Sequence, residues 1–555
     1  MGDLARLIGP DPYDLVVVGG GINGVGIARD AALRGLRVLL ADRGDLCGGT
    51  TRWSTRLIHG GLRYLEHLEL PLVRESLRER EVLLRQAPHL VRPLPFLLPI
   101  YRGDHRGKHL IRLGMLMYDA LSFGKSLERH RMLGRAETLL RVPGLRREGL
   151  VGSAVYWDSQ VEYPERLVVE LALDARRSGA TLLTYAELTD FRVEADRVTG
   201  VRLRARLAQG GGFSEEGNVS QEAEVGASMV INVTGPWVDE VLSRLDRPMP
   251  RLIGGTKGTH LVVGPFRGAP LDALYVEARR DRRPFFVVPW AGRYLIGTTD
   301  SRYDGPPDRV VPEESEIEYL LAETNRVLPD ARLARADVLL AYSGVRPLPY
   351  QRDGAEAGIT RRHLIHDHAP QVGGLLSVVG GKLTTYRSLA EEAVDLVQTR
   401  LERVPVPATT ARRPLPGSVA GDYAAFARTF ALEAGLDDGL ADRLLRVYGG
   451  RAREVARLAA AQPELACPLD NAGLVLAAEV IFALDQEMAQ TLADVLLRRT
   501  MIGLELGGRE DLAQAAAGVA VRAGRWSEER AAVEVADYER EVERLLVPAA
   551  AGVAA

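Results

Sequence analysis

Glycines near the amino terminus are spaced for binding a dinucleotide. Gly19, Gly21 and Gly24 form a Gly-x-Gly-x-x-Gly pattern that follows an apolar, β-branched run and precedes a segment with helical spacing. These glycines permit a tight turn, a close approach to pyrophosphate, and close packing of helix on strand. Asp42, ending the next apolar run, is placed to accept hydrogen bonds from ribose hydroxyls. The alternative is a glycine-rich turn in an unrelated α/β domain, which the strand, helix and acidic residue together disfavour.

Later segments favour a flavin over a nicotinamide dinucleotide, although both use such a glycine loop. Residues 48–54 lie where flavoproteins carry a second phosphate-contacting segment, and residues 230–235 resemble their strand-to-turn motif near the adenosine. Residues 378–390 repeat the strand, glycine turn and helix start. A second helix N-terminus would stabilise negative charge on a reduced flavin ring, for which an NAD enzyme has no need. The residues predicted to hold FAD are Gly19, Gly21, Asn23, Gly24, Asp42, Arg43, Thr50, Thr51, Ser54, Gly235, Gly381, Lys382, Leu383 and Thr384.

The bulk composition indicates a multidomain soluble enzyme. A length of 555 residues predicts two or three domains, and a net charge of −3 gives no case for a nucleic-acid partner. Cys47 and Cys467 lie far apart and lack metal-ligand spacing, so we predict no metal site and a reducing, cytoplasmic compartment. The N-terminus does not read as a signal peptide, and no apolar run is long enough to span a membrane.

The order of elements predicts an α/β fold: a Rossmann-like FAD-binding domain with an inserted antiparallel-sheet substrate domain, followed by an all-helical C-terminal domain. A βαβ unit is expected over residues 15–41. Helices are expected over 66–90 and 164–178. Strands or a meander are expected over 181–185, 193–206, 229–233, 259–263, 285–289, 294–296 and 375–379, and residues 210–218 are interpreted as a solvated hairpin loop.

These elements suggest the following domain limits. The FAD-dependent oxidoreductase region covers residues 1–403, divided between an FAD-binding domain of about 1–90, 150–245 and 340–403 and a substrate domain of about 91–149 and 246–339. Residues 404–418 are proline-rich and lack periodicity, which indicates a linker. Residues 419–546 have helical spacing, and residues 547–555 are a frayed tail.

Several separated motifs resemble one family, the FAD-dependent glycerol-3-phosphate dehydrogenases of the D-amino-acid-oxidase-like flavoproteins. The motifs are residues 18–30 with Arg34 and Gly35, and residues 57–66, 232–237, 296–300, 343–348, 380–387 and 494–500. They follow the family order, and the resemblance covers nearly the whole chain. The chain departs from the family pattern at Trp53, in the 210–218 loop and at Arg56, which stands where lysine is usual and keeps the charge with another geometry.

The resemblance implies oxidation of sn-glycerol 3-phosphate to dihydroxyacetone phosphate by hydride transfer to flavin N5. It also implies that Arg63, Tyr64, Arg346, Arg361 and Lys382 bind the substrate. Arginine offers paired donors that match phosphate oxygens, and Arg346 is the first choice for the phosphate anchor. Lys382 has a second possible role, facing the N1 side of the flavin.

The general base is less well defined by the sequence. His59 and His260 both lie in the family motifs and both titrate near neutrality, so each is a candidate for contacting substrate or flavin. A histidine beside glycines is as often a structural hydrogen-bonding group. The predicted catalytic set is therefore His59, His260, Arg346 and Lys382.

The electron acceptor is not encoded in any motif. The resemblance implies a respiratory quinone, reached by peripheral binding to the inner face of the cell membrane. Residues 92–135 interleave apolar and basic residues, as in a segment that lies on anionic lipid, but the same pattern fits a segment packed on the core of its own domain. A homodimer is expected, and the helical domain is a candidate for dimerisation or partner docking.

Three other functions remain open on the sequence. An oxidase variant would pass its electrons to O2 and release hydrogen peroxide. A flavin amine or amino-acid oxidase would use its anchoring arginine for a carboxylate and would need fewer cations. A flavin-binding regulator would keep the site without turnover.

Overall fold

The computed structural model describes residues 3–65, 68–207, 221–352, 360–470, 473–505 and 510–545. The predicted hairpin loop at 210–218 and the predicted tail at 547–555 lie outside these ranges. Across the described ranges, no helix combines the length and apolarity needed to cross a membrane.

The described residues form two sheets and many helices. The strands are β1 Tyr13–Val18, β2 Val38–Ala41, β3 Leu57–Ile58, β4 Val91–Tyr101, β5 Arg131–Gly134, β6 Leu150–Val161, β7 Thr181–Leu183, β8 Ala186–Glu194, β9 Arg197–Ala205, β10 Glu222–Asn232, β11 Ile253–Val263, β12 Ala273–Glu277, β13 Pro284–Trp290, β14 Arg293–Gly297, β15 Ser301–Arg302, β16 Val338–Pro349, β17 Leu364–Asp367 and β18 Leu375–Val379. The helices are α1 Asp3–Ile8, α2 Ile22–Leu33, α3 Leu70–Gln86, α4 Lys108–Leu121, α5 Arg135–Arg141, α6 Pro164–Arg177, α7 Val238–Leu242, α8 Glu314–Val327, α9 Tyr386–Arg400, α10 Tyr423–Ala434, α11 Asp438–Tyr448, α12 Ala452–Ala461, α13 Ala477–Gln486, α14 Leu492–Asp494, α15 Ile502–Glu505, α16 Glu510–Arg522 and α17 Glu528–Glu543.

The first sheet is the predicted Rossmann-like core. Its order is β17-β18-β10-β1-β2-β7, and every pair from β18 to β7 is parallel. Leu15, Val16 and Val17 of β1 are fully buried, as expected for a strand covered on both faces. Helices α2, α6 and α9 cover one face. The carboxyl ends of β1, β2, β10 and β18 therefore meet at one edge, which is where such sheets bind ligands.

The second sheet is the predicted antiparallel one, with the order β15-β11-β14-β13-β12-β4-β6-β3. Only the β4–β12 pair is parallel among its described pairs. The expected domain limits need correction here. Strands β3, β6 and β16 pair within this sheet, although residues 57–58, 150–161 and 340–349 were assigned to the FAD-binding domain. The long β4–β6 and β11–β16 ladders hold these segments in the second sheet.

The C-terminal helices are not a detached module. Helices α10–α17 share one hydrophobic core with the second sheet, in which Phe96 and Tyr156 lie with Leu444 and Val480. The predicted linker at 404–418 is extended but docked, because Arg413 pairs with Asp174 at 2.9 Å.

A buried charge cluster joins the FAD-binding helices to the helical domain. Glu487 accepts hydrogen bonds from both terminal nitrogens of Arg166, at 2.6 and 2.7 Å, and also pairs with Arg451. Burial alone would raise the pKa of Glu487, but the guanidinium groups of Arg166 and Arg451 lower it to about 2. The carboxylate of Glu487 is therefore charged in the folded protein at any pH well above 2.

We expect Glu487→Gln to destabilise the protein in a pH-dependent way. Removing one partner of a buried ion pair costs roughly 3 kcal/mol, which lowers the thermal midpoint at pH 7 by about 3 °C for a chain of this length. Because the folded pKa is depressed, this stabilisation is present above the ordinary pKa of a glutamate and is lost as the pH falls towards 2. Thermal melts at pH 7 and below pH 4 measure the effect. The gap between the two proteins should narrow at low pH, and the exposed-pair variant Glu433→Gln should change little at either pH. An equal gap at both pH values would contradict the role of the charge.

Candidate active site

A cavity of about 350 Å³ opens at the carboxyl edge of the first sheet. Twelve of the residues predicted to hold FAD line it: Gly19, Gly21, Asn23, Asp42, Arg43, Thr50, Thr51, Ser54, Gly235, Gly381, Lys382 and Leu383. Gly24 and Thr384, also predicted, do not line the cavity. The structure thus brings together segments from near Gly19 and from near Leu383, which lie far apart in sequence. The contacts of the individual residues with a dinucleotide stay predictions.

The glycine loop has the geometry that the sequence predicted. Gly19 adopts a φ of +116°, which side-chain-bearing residues rarely adopt. A Cβ on Gly24 would lie 1.9 Å from the carbonyl oxygen of Gly19, so helix α2 can approach β1 only with glycine there. Gly21 forms the N-cap of α2 and has no side chain to cap the helix, and the first helical N–H, that of Ile22, donates to Thr51 Oγ1 at 3.2 Å. The first turn of α2 therefore presents backbone N–H donors towards the cavity, as binding a diphosphate requires.

Asp42 is fixed at the ribose end of the cavity. Its two carboxylate oxygens accept backbone N–H groups from Gly20 and Gly44, and each retains capacity for a further donor. Burial raises the pKa of Asp42, an effect that the two backbone hydrogen bonds oppose. The neighbouring Arg43 turns aside, pairs with Asp308 at 2.5 Å and lies over the Trp237 ring.

The opposite end of the cavity is formed by the turn that precedes α9. Gly380 and Gly381 have φ values of +77° and +93°, so this turn also depends on glycine. Asn23 donates to the Gly380 carbonyl oxygen at 3.4 Å, whereas its own side-chain oxygen is buried and finds no hydrogen-bond partner among the described residues. An unsatisfied buried acceptor, glycine-walled turns and an uncapped helix start fit a bound dinucleotide with its flavin at this end.

Close to the turn that precedes α9 lies a cluster of cations. Asp300 pairs with Arg346 at 3.1 Å and with Arg361 at 3.2 Å. Burial alone would raise the pKa of Asp300, but the two arginines lower it below the ordinary value. The ammonium group of Lys382 lies 3.9 Å from the centre of the Tyr64 ring, a cation–π contact. Four of the five residues predicted to bind substrate are thus gathered in one region.

Arg346 and Arg361 differ in whether their N–H groups are already hydrogen-bonded within the protein. The terminal nitrogens of Arg346 donate to Asp300, to Thr298 Oγ1 and to the carbonyl oxygens of Lys257 and Thr299. All four terminal N–H groups are therefore engaged within the protein. In contrast, one terminal nitrogen of Arg361 is buried without a hydrogen-bond partner in the described part of the chain. The geometry thus favours Arg361, rather than the first choice Arg346, as the direct phosphate ligand.

Lys382 is the most strongly perturbed cation of the cluster. Burial lowers its pKa to about 7, and the nearby positive charge of Arg361 acts in the same direction. Glu75 and Glu69 partly oppose this shift. Its weak 3.4 Å contact with Ser76 leaves donor capacity for a ligand. A lysine in this state gains most from an incoming anion, which would restore its charge.

Arg63 lies in the 3₁₀ turn Leu62–Leu65, and its side-chain placement is outside what the structure describes. The sequence reasoning missed Arg283, at the start of β13, whose charge reaches both Asp300 and Arg346. Its signal was weak because Arg283 belongs to a run of arginines that reads as a solvated turn.

Both candidate histidines lie near these cations. His260 is 2% exposed, and its Nε2 lies 2.9 Å from the Thr55 hydroxyl, while its Nδ1 is buried and unpartnered within the described residues. Burial lowers the pKa of His260 well below its ordinary value, with Arg346 contributing. Burial also lowers the pKa of His59, and Lys382 adds to that effect. Both imidazoles are therefore neutral at pH 7 and able to accept a proton.

Arg56, the family departure, has a structural role. Its two terminal nitrogens each donate to Glu165 at 2.9 Å, and it lies over the Trp290 ring. A bidentate pair of this kind uses the planar fork of arginine, which lysine lacks. The bidentate contact with Glu165 thus explains why arginine stands here, where the family usually has lysine.

Several cavity residues escaped the sequence reasoning. Glu187 and Leu188 of β8, Trp237, and Asp308 from the second-sheet region all line the cavity. Trp237 lay in a quoted motif and could have been included. Asp308 had no signal, because only the folding of the two sheets together brings its loop to Arg43.

Two family models match the chain. An FAD dependent oxidoreductase model matches residues 14–387, and a model described as the C-terminal domain of alpha-glycerophosphate oxidase matches residues 408–531. A glycerol-3-phosphate dehydrogenase of Synechocystis sp. is 46% identical over 97% of each chain. An aerobic glycerol-3-phosphate dehydrogenase of Staphylococcus haemolyticus is 32% identical over 88% of this chain and 87% of its own length.

Solved structures give the same result for the fold. The structure of a Bacillus halodurans glycerol-3-phosphate dehydrogenase complexed with FAD superposes with a TM-score of 0.78, at 29% identity, over 98% of this chain and 97% of the other. An FAD-bound L-alpha-glycerophosphate oxidase of Mycoplasma pneumoniae shares the fold with a TM-score of 0.56, at 17% identity, over 73% of this chain and all of the other. FAD is accordingly the dinucleotide of this cavity.

Proposed function

This chain belongs to the FAD-dependent glycerol-3-phosphate dehydrogenase family, and we propose that it oxidises sn-glycerol 3-phosphate to dihydroxyacetone phosphate and passes the electrons to a quinone. The observation that carries the substrate assignment is the cation cluster of Arg361, Lys382 and Arg346 at the flavin end of the cavity. A carboxylate substrate needs one cation, whereas a phosphate dianion suits several. The predicted amine or amino-acid oxidase is therefore disfavoured.

The protein's own groups would bind and orient the substrate. Bound FAD supplies the two-electron acceptor for the carbinol hydrogen. The unpartnered nitrogen of Arg361 and the Lys382 ammonium bind the phosphate. Arg346 holds Asp300, which in turn fixes Arg361, so Arg346 acts one contact away. Anchoring the remote phosphate holds the carbinol carbon in a fixed orientation. The reaction with the flavin then becomes effectively unimolecular.

His260 is the favoured general base. Of the two candidate histidines, only His260 has a buried ring nitrogen, Nδ1, without a partner among the described residues, and its Nε2 is oriented by Thr55. In the neutral form with the hydrogen on Nε2, Nδ1 accepts the hydroxyl proton of the substrate. Burial and the charge of Arg346 lower the pKa of His260, so the imidazole is held in the neutral form that can accept this proton. His59 stays the second candidate.

The central test is anaerobic reduction of the bound flavin. We expect sn-glycerol 3-phosphate to bleach the visible flavin band of the purified holoenzyme within seconds at millimolar concentration, while glycerol and amino acids do not, because only the phosphate engages the cations. Stopped-flow absorbance measures the rate. Bleaching by an amino acid alone would indicate an amino-acid oxidase, and no bleaching by any compound would indicate a flavin-binding regulator.

Replacing Arg361 should separate binding from chemistry. We expect Arg361→Gln to raise KM for glycerol 3-phosphate by roughly 10- to 100-fold, because a charged hydrogen bond contributes about 1.5 to 3 kcal/mol, with a smaller change in kcat. Arg361→Lys should recover part of the loss, since it restores charge without the fork. Steady-state kinetics with a dye acceptor provide both constants. An unchanged KM for Arg361→Gln would exclude Arg361 as the phosphate ligand.

Only part of the segment predicted to lie on the membrane is exposed. Of the segment 92–135, Phe96, Leu97 and Ile100 lie in strand β4 and are buried, so that part of the prediction is wrong. Helix α4 keeps the predicted character, because its apolar side chains are divided between two faces. Ile111 and Met115 face the core, while Leu110, Leu113 and Leu116 are 57%, 55% and 52% exposed, and the following Phe123 is 96% exposed.

We propose that the α4 surface, defined as Leu110, Leu113, Leu116 and Phe123, rests on the inner face of the cell membrane. Lys108 and Arg112 are exposed on the same helix and supply attraction to anionic lipid. Such a helix lies in the interface rather than crossing it. Docking there gives access to a quinone, which is dissolved in lipid. The homodimer stays a prediction.

Vesicle flotation tests this surface. The variant Leu113→Ser/Leu116→Ser/Phe123→Ser should lose most binding to anionic vesicles and most activity with a long-chain quinone, while keeping activity with a soluble dye. The matched control is Leu432→Ser, which changes a leucine that is 87% exposed in the helical domain. Equal flotation of the two variants would contradict the α4 surface. Stoichiometric peroxide under air, independent of vesicles, would favour the oxidase alternative that the name of the C-terminal family model suggests.

A further inference from the structure

The helical domain contacts a loop that lines the cofactor cavity. Residues 42–52, here called the cofactor loop, connect the end of β2 with the threonines that line the cavity. The loop contains Asp42, which lies at the ribose end, and Thr50 and Thr51. The function derived above assigns no role to the helical domain, yet two buried arginines of that domain, Arg498 and Arg499, contact this loop.

Asp45 is the main contact between the two. Its carboxylate is 3% exposed and receives Nε of Arg498 at 2.8 Å and both terminal nitrogens of Arg499, at 2.7 and 2.8 Å. Both arginines lie in the π-helical turn Val495–Arg499. Arg499 is itself fixed, because its Nε donates to the Glu487 carbonyl oxygen at 2.8 Å. Asp45 is therefore held by two arginines. Arg499 is itself fixed in the helical domain, so it cannot move with Asp45 if the loop shifts.

Two further contacts hold the loop and its neighbour. Arg52, at the end of the loop, pairs with Glu541 of α17 at 2.7 Å, and Glu541 also pairs with Arg498 at 2.8 Å. Tyr185, whose backbone N–H donates to the Gly44 carbonyl oxygen, donates its hydroxyl to Asp494 at 2.7 Å. The cofactor loop is thus attached to the helical domain near its start, directly at Asp45 and through Tyr185 at Gly44, and at its end through Arg52.

The charges in this cluster balance. Asp45, Asp494 and Glu541 face Arg52, Arg498 and Arg499, three carboxylates against three guanidinium groups. In a dry interior an unpaired charge is costly, so a lost partner drives the structure to rearrange. The helices are packed in a large core, whereas the cofactor loop contains three glycines, Gly44, Gly48 and Gly49. If a charged partner were lost, we therefore expect the cofactor loop to move and the helices to stay in place.

We propose that the helical domain is a positioning element for FAD: Arg498 and Arg499 fix Asp45, and through it they hold the cofactor loop in the shape that binds the dinucleotide. The proposal concerns the cofactor alone and is independent of the substrate and the electron acceptor. These side chains do not contact the reacting atoms, so they are positioning residues.

The test is the rate of FAD release from the purified holoenzyme, followed by the gain of flavin fluorescence on dilution. We expect Asp45→Asn to speed release by 10- to 100-fold. The matched control is Glu479→Gln, which breaks a buried pair with Arg443 inside the helical domain, away from the loop. It should lower the melting temperature of the apoprotein while leaving FAD release within about twofold of the parent.

A second variant distinguishes positioning from charge imbalance. Asp45→Asn/Arg499→Gln restores the charge balance but not the anchor, so FAD release should stay fast. If release returns to the parent rate, anchoring is excluded. Glu541→Gln is a milder change at a partly exposed group, and we expect a smaller increase in release. Parent-like release from both Asp45→Asn and Glu541→Gln would overturn the proposal, and no result with substrate bears on it.

Discussion

Buried guanidinium–carboxylate pairs are the constraint on which the arrangement of this protein depends. A carboxylate removed from water needs a partner of opposite charge and saturated hydrogen bonds, and a planar guanidinium meets both needs with fixed geometry. Arg166 with Glu487 and Arg499 with Asp45 each cross from the helical domain to the FAD-binding region. Because neither partner can be left alone, these pairs fix how the domains meet. Hydrophobic packing alone would allow several similar arrangements.

The same logic operates at the site, with a different outcome. Asp300 holds Arg346 and Arg361 side by side, although two guanidinium groups repel each other. One carboxylate cannot neutralise both, which leaves positive charge and a spare donor directed at the region beyond the flavin. Lys382 adds to it, and burial has brought its pKa to about 7. In the proposed function, this concentration of cations is what a phosphate dianion would engage.

Local patterns in the sequence predicted the fold and the cofactor, and long-range geometry accounts for most of what was wrong. The glycine loop, the helix of the βαβ unit and the strands at 375–379 and 285–289 depend on short-range spacing, which the chain displays openly. The membership of β6 and β16 in the second sheet depends on pairing partners far away in sequence, so boundaries at 150 and 340 were misplaced. Arg346 looked like the phosphate ligand because its motif is distinctive. Only the folded structure reveals that the N–H groups of Arg346 already donate hydrogen bonds within the protein, to Thr298, Thr299, Lys257 and Asp300.

The contact between Arg52 and Glu541 joins two residues that are 489 positions apart. During synthesis the glycine loop and the cofactor loop emerge first, while α17 emerges after almost every other described element. A nascent chain therefore carries its nucleotide-binding residues for most of the time of translation without the groups that will hold them in place. Contacts of such large sequence separation form slowly, because a long segment must be closed before they contribute. If Arg498 and Arg499 position the cofactor loop as proposed, a product terminated before them would keep the residues that line the cavity but would lack the contacts that hold that loop in place.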